Sequence, residues 1–130
     1  MRLNKRATMF LSMIRSGVGA LAGSDATNPY VFPGFGLHDE LELLVQAGLS
    51  PLEALQAATI NAAKFLHREK ELGAIAKGMY ADLVLLDANP LENINNTKKI
   101  NAVIANGRLF QRADLDELLT VAEQSAKNKH

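Results

Sequence analysis

Residues 18–22, Val-Gly-Ala-Leu-Ala, are apolar at every position. A run with no polar side reads as a strand covered on both faces, the pattern of a parallel strand inside an α/β fold. Such a strand needs neighbours, because buried backbone N–H and C=O groups need partners. The first half of the chain offers none, since the segments before and after this run read as helices. A fold built on this strand therefore draws on more chain than the 130 residues present.

The flanking elements follow from spacing and punctuation. Leu3, Ala7, Phe10, Leu11 and Ile14 recur at helical intervals across residues 3–16, and Gly17 suits the left-handed position that closes a helix. The strand runs into Gly23-Ser24-Asp25. Residues 26–36 form a loop with Tyr30, Phe32 and Phe35 among prolines and glycines. A helix over 37–47 places Leu37, Leu41, Leu44 and Val45 on one face and ends at Gly48. Ser50-Pro51-Leu52-Glu53 is a capping box with Pro at the first helical position. It opens an alanine-rich helix to about Leu66, with Leu52, Leu55, Ala58, Thr59, Ala62 and Ala63 inward, which a neighbouring element can approach closely.

Beyond Leu66 the pattern becomes extended. Residues 73–76 read as a short strand, Lys77-Gly78 as a turn, and 81–87 (ADLVLLD) as a strand with an apolar interior. A further strand over 100–105 meets Asn106-Gly107, a strong hairpin signal, and turns into 108–110. Asp114 with Glu117 reads as a second capping box, opening a last helix with Leu115, Leu118, Leu119 and Ala122 inward. The tail SAKNKH is expected to fray.

Composition removes several classes of function. Lys plus Arg and Asp plus Glu are 14 each, so no broad basic surface exists for nucleic acid. The absence of cysteine excludes disulfides, thiolate metal sites and cysteine nucleophiles. No apolar run approaches the ~20 residues of a transmembrane helix, and no membrane partner is expected. A basic Met1–Arg6, an apolar Ala7–Ile14 and Ala20-Leu21-Ala22 outline a signal peptide, but Arg15 interrupts it, and an amphipathic helix leading into a strand is the better reading. A cytoplasmic location is expected. A small secreted domain remains a third reading.

Four stretches carry a resemblance. LAGSDA (21–26), LHDELELLVQAGLSPLEALQAATINAAKFL (37–66), LGAIAKGMYADLVLLDANPL (72–91) and INAVIANGRLF (100–110) together resemble the C-terminal end of the metal-dependent amidohydrolase superfamily. The closest likeness is to its imidazolonepropionase-like and Xaa-Pro dipeptidase-like branch. The resemblance implies an α/β fold: the C-terminal portion of a (β/α)8 barrel plus part of the accessory β-sandwich. Residues 1–68 would be the end of the barrel (helix, last strand, active-site loop, two helices). Residues 69–112 would be the C-terminal strands of the sandwich, and 113–130 a C-terminal helix and tail. A whole barrel needs ~250 residues, so the chain is expected to be a C-terminal fragment. The H-x-H of the family's first strand, its bridging Lys or Glu and its later strand-end histidines do not occur here.

The same resemblance implies the chemistry. Asp25 stands where the family's eighth-strand aspartate binds metal and handles the proton of the attacking water, at the C-terminal strand end where barrel sites lie. The bland alternative is an aspartate that caps a turn. The complete enzyme would hold a divalent metal, zinc by preference, and hydrolyse C–N bonds of a small-molecule cyclic amide, amidine or dipeptide. A catalytic zinc takes about three protein ligands, and Asp25 supplies one, so the chain alone is expected to hold no metal and to be inactive. The substrate-loop candidates are Tyr30, Phe32 and His38: Tyr30 and Phe32, with Phe35, would wall a substrate pocket or equally pack the loop down, and His38 could reach a substrate carboxylate or a neighbouring loop, with a first-turn surface or packing histidine the simpler reading. His38 and His67 do not fall at metal-pair spacing and sit on different helices, and His130 is in the tail. The alternative function is a non-catalytic self-associating or regulatory domain, because open strand edges and apolar helix faces invite a homo-oligomer.

Overall fold

The computed structural model describes residues 5–26 and 33–127. It is a mixed α/β structure with a small antiparallel sheet. Helix α1 (Lys5–Arg15) is followed by an extended segment, then α2 (Phe35–Gln46), α3 (Pro51–Ala58) and α4 (Ile60–Phe65). Strand β1 (Leu83–Leu86), a 3-10 turn (Ile94–Lys98), β2 (Ile100–Ala105), β3 (Arg108–Phe110) and α5 (Arg112–Lys127) complete the order.

The helical punctuation forms as its residues dictate. Gly17 takes φ 91 and the Val18 N–H bonds back to the Met13 carbonyl at 3.1 Å, closing α1 in a Schellman motif. Gly48, at φ 112, closes α2 in the same manner, with the Leu49 N–H on the Leu44 carbonyl. At the start of α3 the Ser50 hydroxyl accepts from the Glu53 N–H, while the Glu53 carboxylate accepts from the Ser50 N–H at 2.7 Å. The Ser50 N–H and hydroxyl together hold the Glu53 carboxyl below its ordinary pKa.

Four expectations are corrected. Residues 18–22 form no strand. Ala20 is buried and the Ala22 N–H donates to the Ala57 carbonyl at 3.1 Å, but Val18 and Leu21 stay about half exposed. Helices α3 and α4, rather than strands, take up its backbone groups. Residues 73–76 are also no strand: Gly73 and Ala74 form a bend and Ile75 and Ala76 are irregular, with Ile75 87% exposed. The helix expected over 51–66 breaks at Thr59, whose hydroxyl bonds back to the Leu55 carbonyl at 2.7 Å, a bond that bends helices. The last helix begins at Arg112, earlier than its capping residues suggested. Gln111 stands at the cap, and Asp114, a turn inside, accepts from its N–H at 2.8 Å.

The alanine-rich face of α3 and α4 does admit a close neighbour. A Cβ on Gly73 would lie 2.8 Å from both the Ala63 Cβ and the Ile60 Cα, and its φ is +87. Only glycine meets both demands. The main core gathers Ala20, Leu41, Leu44, Leu49, Ala54, Ala57 and Ile94, with Phe10, Leu11 and Ile14 of α1 packed against it. Leu37 and Leu52, expected inward, are 39% and 51% exposed. Each sits at the edge of the apolar stripe, and no described element reaches over to cover it.

The sheet order is β1-β2-β3, antiparallel throughout. Asn106 and Gly107 both take positive φ, the conformation that a two-residue hairpin turn needs. The register shifts between Leu85 and Leu86, and opposite that point the Asn101 side chain donates to the Asp87 carboxylate at 2.8 Å. Val84 and Leu85 point to opposite faces of β1, and both are about half exposed. Among the described residues no helix is long and apolar enough to cross a membrane.

Candidate functional site

Asp25 ends the extended segment that leaves α1. The segment is held against the helical layer by the Ala22–Ala57 backbone bond and by the Asn61 side-chain amide, which donates to the Ala20 carbonyl at 3.3 Å. Asp25 itself is exposed and left-handed, with φ 47, a conformation that aspartate tolerates better than most residues. Tyr30 and Phe32 lie outside the described residues.

His38 lies in the first turns of α2, opposite the 3-10 turn. Its Nδ1 is 3.0 Å from the Thr97 Oγ1. The Thr97 hydroxyl has one proton, and that proton goes to the Ile94 carbonyl at 2.8 Å. Thr97 can then only accept from His38, so Nδ1 carries the hydrogen and, in the neutral ring, Nε2 keeps its lone pair. Burial pushes the imidazole pKa below its ordinary value, and the nearby Lys98 ammonium pushes it the same way, with Asp39 acting weakly against both. The chemical result is an oriented imidazole whose neutral form is favoured.

The 3-10 turn that holds His38 is the part of the site that the sequence reading passed over. Asn93 caps it by accepting from the Asn95 N–H, and Asn96 donates to the Asn89 carbonyl at 2.8 Å. Asn96 and Thr97 are buried polar residues whose side-chain bonds go to Asn89, to Ile94 within the turn and to His38. Lys98 reaches α2 from the same turn, 3.0 Å from Asp39 and 3.5 Å from Glu42. A cluster of short polar residues between two strands signals a turn, but its partner lies 59 residues away.

His38 borders two clefts. One, of about 680 Å³, runs between α2, β2 and α5, with Phe35, Lys98, Ile100, Arg112 and Leu118 on its walls. The other, of about 530 Å³, lies between α2, α3 and β1, with Leu55, Gly73, Tyr80 and Leu83 on its walls. Asp25 lines neither of these two clefts. His67 has a different role: at φ 56 it occupies the left-handed position after α4, and the following Arg68 N–H closes on the Ala63 carbonyl at 2.8 Å. Among the described residues no group of three or more His, Cys, Asp or Glu could hold a metal ion. The side chains described here do not by themselves fit a catalytic metal.

Comparison with known proteins gives this arrangement a context. Residues 1–110 match the amidohydrolase family. Ochratoxinase from Aspergillus niger is 35% identical over 103 residues, covering 75% of this chain and 20% of that protein. Imidazolonepropionase from a Geobacillus species is 39% identical over 98 residues, covering 72% of this chain and 23% of its own length. Among solved structures, an Xaa-Pro dipeptidase with methionine bound in its active site aligns with a TM-score of 0.70 at 31% identity, over 81% of this chain and 25% of that one. Molinate hydrolase aligns with a TM-score of 0.71 at 30% identity, over 77% of this chain and 25% of its own. The chain thus spans about a fifth to a quarter of the length of these relatives.

Proposed function

This chain belongs to the amidohydrolase family, and from that premise we propose that it supplies the C-terminal part of a metal-dependent hydrolase of C–N bonds. The substrate is a small molecule with a cyclic amide, amidine or dipeptide bond. Residues 1–68 complete a (β/α)8 barrel, 69–112 contribute to its β-sandwich, and 113–130 form an added helix and tail. Residues 18–24 join the barrel as its last strand once neighbouring strands pair with them.

The observation that carries this reading is Asp25, presented by an anchored segment in the LAGSDA stretch of the matched region. The family is metal-dependent, and the ligands other than Asp25 come from outside the described residues. Asp25 is the group of this chain that enters the reaction, as the carboxylate that takes the proton of the attacking water. His38, fixed through Thr97, orients the start of α2.

The test supplies the remaining barrel strands, in one chain with this one or as a separate polypeptide, and assays hydrolysis of Xaa-Pro dipeptides, cyclic amides and cyclic amidines. Asp25→Asn is expected to lower kcat by about 10²–10⁴-fold, the range for loss of a general base. Normal turnover by that variant, with the fold intact by circular dichroism, would remove Asp25 from the reaction.

A further inference from the structure

Asn106 and Gly107 form the β2–β3 turn because both accept positive φ, at 50 and 76. Asparagine is a labile residue: the backbone nitrogen that follows it can attack its side-chain carbonyl. Glycine, with no side chain, crowds that nitrogen least. Asn106 is the only asparagine in the sequence that glycine follows. Asn61, Asn96 and Asn101 hold their side-chain amides in hydrogen bonds to the Ala20 carbonyl, the Asn89 carbonyl and the Asp87 carboxylate. At Asn106 the backbone N–H is held instead, by the Asp82 carboxylate at 2.6 Å. Among the described residues its side-chain amide bonds to none.

Little holds the turn closed. Residues 105–109 are all exposed, β3 is three residues long, and α5 beyond it contains no buried residue. Nothing lies within 4 Å of the position that a Cβ on Gly107 would take. The Gly107 N–H reaches the Ala81 carbonyl at 3.3 Å, a long bond. An element with few buried contacts opens locally at a low cost in free energy. Opening releases Asn106 from its left-handed conformation, and its Cγ can then swing onto the Gly107 nitrogen.

We propose that Asn106 is a site of spontaneous covalent modification, where the side-chain amide is lost and the backbone is rerouted through the side chain. The Gly107 nitrogen attacks the Asn106 Cγ. A C–N bond forms, closing a five-membered imide, and the side-chain nitrogen leaves as ammonia with the proton that Gly107 gives up. Water then opens the ring. Cleavage at Cγ leaves aspartate, and cleavage at the former backbone carbonyl leaves isoaspartate, whose main chain is longer by a methylene. The sum is one water consumed and one ammonia released. Either product adds a carboxylate to the residue whose N–H the Asp82 carboxylate holds, and like charges so close repel. The added methylene also disturbs the register of β2 on β3, which this turn sets. The bonds from Asn106 and Gly107 to Asp82 and Ala81 tie the turn to the start of β1, so the modification loosens β1 as well as the hairpin.

The test incubates the full chain in warm, mildly alkaline buffer and follows the tryptic peptide 100–108, bounded by Lys99 and Arg108, by mass spectrometry. The parent peptide is expected to be lost to its acid form faster than any other asparagine-containing peptide. A methyltransferase specific for isoaspartate is expected to label the product. The aged chain, separated by its added negative charge, is expected to unfold at lower urea than the fresh chain. Asn106→Gly keeps a residue suited to positive φ and has no amide to lose, so its urea midpoint is expected to survive the same incubation unchanged. An intact 100–108 peptide in the folded chain, when the chain unfolded in urea forms isoaspartate there, would overturn the proposal, because the hairpin would then shield the pair. A modified chain that unfolds at the urea midpoint of the fresh one would overturn the loosening of β1.

Discussion

The helical region and the sheet region of this molecule are held together in different ways. In the helical region Leu41, Leu44, Leu49, Ala54 and Ala57 are buried at 7% exposure or less and share one cluster with Ala20 and Ile94. In the sheet region Ala102 is the buried strand residue, while Val84, Leu85 and Leu109 remain about half exposed. The contrast does not come from composition, since β1 is as apolar as any helix. Helices satisfy their own backbone and need cover on one face only, so α1 to α4 can close a small core among themselves. A three-stranded antiparallel sheet can leave one face to water, but β1 is apolar on both faces and the sheet has two open edges, and the described residues cover little of either.

Equal truncations in the two regions sharpen this contrast most. Leu41→Ala empties a site that is 4% exposed and is expected to cost about 2–5 kcal/mol. Leu109→Ala, at 52% exposure on β3, is expected to cost under about 1 kcal/mol, because much of that surface already meets water. Urea unfolding at one pH measures both. Similar losses would mean that the sheet is covered in solution, by a second copy or otherwise.

The joint between the regions gives the next largest effect. Gly73 carries the chain from α4 toward β1 and lies against Ala63, Ile60 and the Thr59 carbonyl. Gly73→Ala meets a 2.8 Å contact and a left-handed backbone, together about 2–3 kcal/mol. Gly78→Ala shares the positive φ with open space around it and is expected to cost about 1 kcal/mol. The difference in urea midpoint between the two variants isolates the close approach. If they match, the segment around Gly73 does not seat on α4.

The same comparison explains what could be read from residues alone. Signals that act within a few residues were legible: Gly17 and Gly48 as helix ends, Ser50 with Glu53 as a cap, and Asn106-Gly107 as a hairpin. Errors came where the outcome depended on distant partners. Residues 18–22 and 73–76 have strand-like composition, but composition cannot supply the neighbouring strand that would make them one. The break at Thr59 and the buried turn at Asn96 and Thr97 depend on packing that no local pattern announces. For the site, the family likeness singled out Asp25, and position singled out His38. The tie from His38 to Thr97 crosses 59 residues, and no spacing rule reaches that far.

That tie yields the smallest effect, and its sign follows from the charges that surround it. His38 faces Asp39 and Glu42 along α2, Thr97 and Lys98 on the 3-10 turn, and Arg112 of α5 across the cleft. Burial and Lys98 set its folded pKa below the ordinary value of 6.5. A histidine depressed on folding takes up its proton more readily when unfolded, so its contribution is fully present above about pH 6.5 and is lost as pH falls through the folded pKa. The Nδ1 hydrogen donated to Thr97 survives protonation, so the loss comes from charging a half-buried ring beside Lys98, not from breaking the bond. His38→Gln keeps a donor without the titration. The gap in melting temperature between parent and variant should therefore narrow from pH 7.5 to pH 5 in favour of the variant, whereas carboxylates elsewhere shift both proteins alike. A gap that widens on acidification would mean that Asp39 and Glu42 outweigh Lys98, and that the ring is held as a cation.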